Sequence, residues 1–453
     1  DSGLALLRSS GDAAEAFRRA NEAIFLSASS PAGKLPNFRW RPFQISFILV
    51  NLTGLLRFEE GGESDRDIID LAWFPTGGGK TEAYFGLIAT IGFYRHLKGV
   101  DPHPSVQTIM RYTLRLLTLN QGERATRLMV GMNIVAEKHG LLGNPFNVGM
   151  WIGSAATPND LASAKRILNE MKETGGPPEK GPTPLQLEDC PWCGESIGNP
   201  DYWNVQNGRL IGHCANSDCE LSVRPVPFSC VDEELYAHPP TLLIATVDKF
   251  ARLASKPESR VLIGLRQGDL ARRQPDLAIQ DELHLLTGPL GSLAGLFETA
   301  IETLWNRIGH RPKYVAATAT IRGAKDDAHL MYGRRLNVFP PPGKTIRDNF
   351  FAVERDDLPG RIHAGVIGNL GHSTTLLERP VASMLQRVSS LSQQGVSDEN
   401  LDSYWTPIGY FNSIRELSGA QSSIEDAISQ QHIPEFALRQ GSEPREINEF
   451  SEL

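Results

Sequence analysis

The chain has 453 residues, too many for one ordinary core, so roughly two to four domains are expected. With 40% hydrophobic and 22% charged residues it has the composition of a folded protein. Its net charge of −8 excludes a wholly basic nucleic-acid coat but leaves room for a local basic channel. No run of about eighteen apolar residues occurs, so no transmembrane helix is expected. The start, DSGLALLRSS, lacks the layout of a signal peptide and an initiator methionine, so the chain is expected to begin inside a longer protein. Four of the five cysteines are clustered, which is unlike a disulfide framework and points to a reducing, cytoplasmic compartment.

Residues 12–28, DAAEAFRRANEAIFLSA, repeat apolar side chains at helical spacing and predict an amphipathic helix. A Pro/Gly break at SSPAGKLP precedes FRWRPFQISFIL, an aromatic and basic patch leading into a second helix. DIIDLAWF (67–74) is an apolar run stopped by Pro75, as a buried strand would be. A glycine loop and the helical pattern TEAYFGLIATIGFYRHL follow. SVQTIMRYTLR and FNVGMWIGS predict strands, with a helix between them over LNQGERATRLMVGMNIVAEKHG. The Pro/Gly-rich residues 172–189 predict a linker, and the cysteines come next. The alternation resumes with TLLIATVDKFARL, PDLAIQDELHLL, a helix over GSLAGLFETAIETLWNRIG, and PKYVAATATI. KDDAHLMYGRRLNVFPPPGKTIRDNF reads as a connection, and RIHAGVIG and YWTPIGYFNSI as strands of a second sheet. Strands alternating with helices predict an α/β fold whose parallel sheet is covered on both faces.

The glycine loop, FPTGGGKT, sits between a predicted strand and a predicted helix, the context in which such a motif binds phosphate. Thr76, Gly77, Gly78 and Gly79 form the turn whose N–H groups would converge on phosphate oxygens. Lys80 would reach the β- and γ-phosphates of ATP, and Thr81 would offer its hydroxyl to Mg²⁺. The general pattern has a glycine where this chain has Phe74. LAIQDELHLL supplies the acidic partner. Asp281 falls at a strand end, where it would hold Mg²⁺ through water, and Glu282 would orient and deprotonate the attacking water. His284 is too far along for chemistry and would contact other motifs.

CPWC and CANSDC place Cys190, Cys193, Cys214 and Cys219 as C-x₂-C, twenty residues, C-x₄-C. Thiolate pairs on two tight knuckles suit tetrahedral Zn²⁺. His213 abuts Cys214 as an alternative ligand, and Cys230 stands apart as an ordinary buried cysteine. Four protein ligands leave no open position, so the zinc would be structural.

FPTGGGKTEAY, RYTLRLLTLNQGERA, ATVDKFARL, QDELHLLTGPLGSLAGLFE, ATATI and GYFNSIREL resemble superfamily 2 helicases and, within them, the DrmA family of helicase-like subunits of the DISARM antiphage system. The resemblance implies a RecA-like ATP-binding lobe over 37–335 after an N-terminal helical segment, 1–36. It also implies a zinc-ribbon insertion over 172–235 and the start of a second RecA-like lobe over 346–453. It implies an ATP-driven motor on single-stranded DNA, or DNA with a single-stranded overhang, working with a DrmB-type subunit. Gln44 would read the adenine edge with Arg41 nearby. Arg115, Thr118, Thr246 and Lys249 would contact the nucleic-acid backbone, and Thr318 and Thr320 would link the ATP site to the nucleic-acid groove. An RNA motor and a nucleotide-gated scaffold that does not unwind are the alternatives. The family's second-lobe arginine motif, Q-x-x-G-R-x-x-R, does not occur, so this piece alone is expected to be a poor ATPase, since such an arginine is worth ~10³–10⁵ in rate.

Overall fold

A computed structural model describes the chain apart from residues 58–64, 75–77, 102, 113–114, 142–144, 177–180, 266–271, 287, 319–323, 342, 344, 346–349, 353–356, 358–361, 368–372, 412 and 448–453, and apart from the side chains of 115–118, 324–327, 373–375 and 414. It divides into two compact units, Asp1–Glu354 and Arg355–Leu453.

The first unit opens with three helices, α1 (Ser2–Ser9), α2 (Gly11–Ser29) and α3 (Pro42–Leu56). Strands and helices then alternate: β1 (Ile68–Trp73), α4 (Lys80–Lys98), β2 (Thr108–Tyr112), α5 (Arg115–Lys138), β3 (Val148–Trp151) and α6 (Leu161–Thr174). The cysteine-bearing stretch contributes β4 (Trp203–Gln206) and β5 (Arg209–Gly212). After it come β6 (Phe228–Ser229), α7 (Asp232–Ala237), β7 (Leu242–Thr246), α8 (Arg252–Ser255), β8 (Leu277–Gln280), α9 (Gly288–Arg307), β9 (Lys313–Thr318), α10 (Ala324–Tyr332) and β10 (Arg335–Phe339). Eight of these strands form one sheet in the order β10-β1-β9-β8-β2-β7-β3-β6, and every pairing in it is parallel.

Period-2 alternation divides the sheet's side chains between two cores. Met110, Ile244, Ile279 and Ala317 face α2–α5, whereas Ile109, Leu243, Ala278 and Ala316 face α7, α9 and α10. That explains why the strands read as continuous apolar runs: both faces are buried. Helix α4, buried almost all round, starts at Gly79 and stops at Gly99, both in the left-handed region. Asp160 caps α6 by accepting from the Ser163 N–H at 2.7 Å.

Two boundaries differ from the sequence reading. The stretch 325–350, read as a connection, holds α10 and the edge strand β10, whose alternating exposure marks a strand with one open side. Its short RLNVF signal is half polar because an edge strand is half solvated. The stretch 172–235 is not wholly an insertion either: β6 pairs with β3 in the main sheet at Val148 and Gly149. The inserted module proper is the cysteine knuckles with the antiparallel hairpin β4–β5, turned at Asn207 and Gly208, both at positive φ.

The second unit is helical among its described residues: α11 (Ser373–Gln393), α12 (Asp398–Trp405), α13 (Ile414–Ser423) and α14 (Ile433–Gln440), with π-helical turns between the last two. Ala382, Leu385, Ile428 and Ile433 form its core. RIHAGVIG and YWTPIGYFNSI, read as strands, are irregular or helical where they are described. Strand residues need a neighbouring ladder, and no described residue of this unit forms one.

Candidate nucleotide site and zinc cluster

Strands β1, β9 and β8 are neighbours in the sheet. Trp73 pairs with Thr318, and Gln280 with Ala316, so all three strands end along one edge. That edge therefore gathers the glycine loop after β1, Thr318 at the tip of β9 and Asp281 just past β8, as open α/β sheets do with their ligand-binding groups.

Thr76 and Gly77 lie outside the described residues. Gly79 has φ +90, and a Cβ there would lie 2.6 Å from Gln44 Nε2, so both conformation and space require glycine. Lys80, the first residue of α4, is buried and donates from Nζ to the Phe74 carbonyl at 2.8 Å. Thr81 follows it, half-buried. Phe74, where the general pattern has a glycine, stacks its ring on Phe43, with centroids 3.9 Å apart. The same helix start grips the loop: Arg41 Nη1 donates to the Gly78 carbonyl and Gln44 Nε2 to the Gly79 carbonyl, each at 2.8 Å, while Gln44 Oε1 accepts from the Arg41 N–H. Gln44 is only 3% exposed, so its immediate duty is to hold the loop. Its amide retains one N–H and one lone pair beyond these bonds.

Asp281 is 7% exposed, and burial, with the charge of Glu282 adding to it, pushes its carboxyl up to about 6. Tyr84 and Tyr112 are buried beside it, and their phenols are pushed well up by burial and by the Asp281 charge. A carboxylate at such a strand end, disfavoured by burial, is a donor that a cation would stabilise, so this donor set fits Mg²⁺. Glu282 has φ +47, a left-handed conformation that costs a side-chain-bearing residue about 1–2 kcal/mol. It is held by its own N–H donating to Asp281 Oδ1 at 3.0 Å. Strain of this kind gathers at functional sites. His284 Nδ1 lies 3.0 Å from Thr318 Oγ1 and 3.4 Å from Glu282 Oε2, so His284 bridges the acidic turn to the tip of β9. Thr320 lies outside the described residues.

The backbone-contact candidates divide. Arg115 and Thr118 begin α5 just past β2, but their side chains lie outside the described residues. Thr246 ends β7 beside Tyr112, buried, its hydroxyl without a partner among the described residues. Lys249 corrects the sequence reading. It is 2% exposed, its Nζ lies 2.9 and 3.1 Å from the two Asp232 oxygens, and it sits over the Trp151 ring. Its charge is spent inside the protein rather than offered to a phosphate. The TVDKF motif could not reveal this, because Asp232 lies seventeen residues earlier on α7.

Two residues near the site escaped the sequence reading. Arg124 of α5 forms an ion pair with Glu82 in the first turn of α4. Tyr84 lies one helical turn after Lys80, a spacing that signals a shared face.

The sulfurs of Cys190, Cys193, Cys214 and Cys219 all lie within 4.8 Å of one another, with Cys190–Cys219 at 3.7 Å and Cys193–Cys214 at 3.5 Å. Zinc–sulfur bonds of about 2.3 Å in a tetrahedron put sulfurs about 3.8 Å apart, so the cluster fits Zn²⁺. His213 is not among the clustered ligands, and Cys230 donates to the Pro184 carbonyl at 3.3 Å, buried. The knuckle is fastened to the lobe: Arg127 donates to the Pro191 carbonyl at 2.7 Å, and the Ala32 N–H to the Trp192 carbonyl at 3.1 Å.

No protein-family profile matches the chain. The DISARM protein DrmA of Bacillus paralicheniformis is 38% identical to it over an alignment of 469 residues, covering 92% of this chain. The chain resembles DrmA. It spans 41% of the length of that relative. Solved structures similar to it include the DUF1998 helicase MrfA, at 11% identity and a TM-score of 0.45 over 90% of this chain and 41% of that one. Another is the Mycobacterium smegmatis helicase Lhr bound to ssDNA and AMP-PNP, at 16% identity and 0.46 over 97% and 37%. Likeness at that level says nothing about activity. The DrmA resemblance rests on sequence and spans 92% of this chain. No described helix is long and apolar enough to cross a membrane.

Proposed function

We propose that this chain carries the ATP-binding lobe of a DNA motor, the DrmA-type subunit of a bacterial antiphage complex in the cytoplasm. One observation carries the reading: Lys80 after β1, Asp281 with Glu282 after β8, and Thr318 at the tip of β9 gather at the ends of three adjacent parallel strands, and His284 joins Glu282 to Thr318. Lys80, released from the Phe74 carbonyl, pairs with the ATP phosphates at the N-terminus of α4. Asp281 and Thr81 hold Mg²⁺, which when bound neutralises phosphate charge. Glu282 takes the proton of the attacking water. His284 and Thr318 couple that proton acceptor to the strand edge on which β2 and β7 also end, the side from which α5 would present Arg115 and Thr118 to a nucleic-acid backbone. The cysteine cluster holds structural Zn²⁺. A DrmB-type subunit is the expected partner.

The test is ATP hydrolysis by the full-length protein with and without single-stranded DNA, run beside Lys80→Ala and Glu282→Gln. Wild type is expected to be stimulated by DNA and both variants to lose turnover, with Glu282→Gln keeping ATP binding. Equal rates with and without DNA would sink the motor reading and favour a nucleotide-gated scaffold. Stimulation by matched RNA but not by DNA would transfer the reading to an RNA motor.

A further inference from the structure

We propose that the opposite edge of the sheet carries a second binding site, for a small molecule bearing a diphosphate or similar polyanionic group. A cavity of about 370 Å³ opens there, in the size range of small-molecule pockets. It lies between the last turn of α4, the loop leading into β2, the start of β7 and the β4–β5 hairpin of the cysteine module. Residues at the N-terminal ends of β2 and β7 line it, so it is separated from Asp281 and Thr246 by the length of the strands.

Its charge is unbalanced. Besides Arg95, which is paired, four basic side chains line it, Arg209 on β5, His96 on α4, His103 in the loop and His238 before β7. None has an ion-pair or side-chain hydrogen-bond partner among the described residues. The one carboxylate in the lining, Asp101, is already spent. It takes two bonds from Arg95, one from Ser105 Oγ at 2.9 Å and one from Gln107 Nε2 at 3.3 Å. Arg95 is in turn shared with Asp276 at 3.4 Å. The unspent charge in the lining is therefore that of Arg209, with three imidazoles beside it. Burial lowers His96 and His238 below the usual histidine range, and for His238 the neighbouring cations Arg209 and Arg272 add to that. A bound anion supplies the missing counter-charge, accepts from Arg209, and would let both imidazoles hold a proton and donate. Asn147, whose Oδ1 accepts from the Thr241 N–H at 2.9 Å, has an amide N–H₂ to add at the floor. The occupant is a compact polyanion rather than a strand of nucleic acid, because the basic groups converge on one cavity instead of lining a track.

Calorimetric titration with inorganic pyrophosphate tests this, using chain that carries Lys80→Ala so that the nucleotide loop cannot supply the signal. Saturable one-to-one binding is expected, weakened about tenfold or more by Arg209→Ala, which removes one charge-assisted bond. His238→Gln should weaken it independently. Both residues lie at the surface or are only half-buried, and unchanged thermal melting would show that the variants fold. No binding, or binding indifferent to both substitutions, overturns the proposal. Displacement of pyrophosphate by a short single-stranded oligonucleotide, with the same dependence on Arg209, also overturns it by assigning the site to nucleic-acid phosphates. Because the nucleotide loop is silenced throughout, the result is independent of whether the chain is a motor.

Discussion

Lys249 separates two readings of the TVDKF motif, and the difference can be measured. As a phosphate contact it would be dispensable for folding. As built, its ammonium is 2% exposed and held between both oxygens of Asp232, at 2.9 and 3.1 Å. Asp232 also accepts from the Tyr236 hydroxyl, which accepts from Trp151 Nε1, both at 3.2 Å. Asp232→Ala strands the ammonium against the Trp151 ring and removes the acceptor of the whole chain of bonds. Breaking a buried pair from one side costs about 3–5 kcal/mol, a large share of the ~5–15 kcal/mol by which a folded domain is stable. Urea unfolding should shift its midpoint down by about 1–2 M. Lys249→Met should be comparably costly, and the double variant should lose clearly less than the sum of the two, since neither charge is then left alone. The DNA-binding assay supplies the other arm. A phosphate contact contributes about one to the slope of log affinity against log salt, whereas the buried pair contributes nothing. Lys249→Met that is as stable as the parent, with a salt slope lower by about one, would refute the structural assignment.

Other predictions concern the loop, the acid and the metal. Gly79→Ala forces a Cβ against Gln44 Nε2 at φ +90, so ATP affinity should fall by tenfold or more while stability falls by only about 1–2 kcal/mol of strain; unchanged affinity in a fluorescent-nucleotide titration contradicts the loop geometry. Asp281 titrates at about 6 in the folded chain, above its unfolded value near 4. A raised value means that its contribution is fully present below about pH 4 and is lost as pH climbs through 6, by up to ~3 kcal/mol. Without nucleotide or metal, Asp281→Asn should therefore gain on the parent in thermal melts between pH 4.5 and 7.5, and a difference that stays constant with pH refutes the burial argument. Metal analysis of pure protein should find one zinc per chain. Chelation or Cys190→Ser should remove the zinc and lower the melting temperature, and zinc-free protein that is indifferent to Cys190→Ser overturns the cluster.

The motifs were legible because their chemistry is local. A tight turn before Lys80 needs glycines wherever it occurs, a strand that stops at Gln280 delivers Asp281 to the sheet edge, and two knuckles bring four thiols together through short spacings. Apolar runs announced the buried strands because parallel strands are covered on both faces. The half-polar β10 escaped for the converse reason. Period and turn residues thus determined the fold class, the glycine loop at the sheet edge and the four-cysteine cluster from sequence alone. Only the tertiary structure decided which strands are neighbours, and so that Thr318 meets His284, that Phe74 is covered by Phe43, and that Gln44 clasps Gly79. It also decided that Lys249 faces inward to Asp232 rather than outward to a phosphate. Each of these depends on groups far apart in the chain, and pattern along a sequence carries no information about which distant charge will neutralise a buried one.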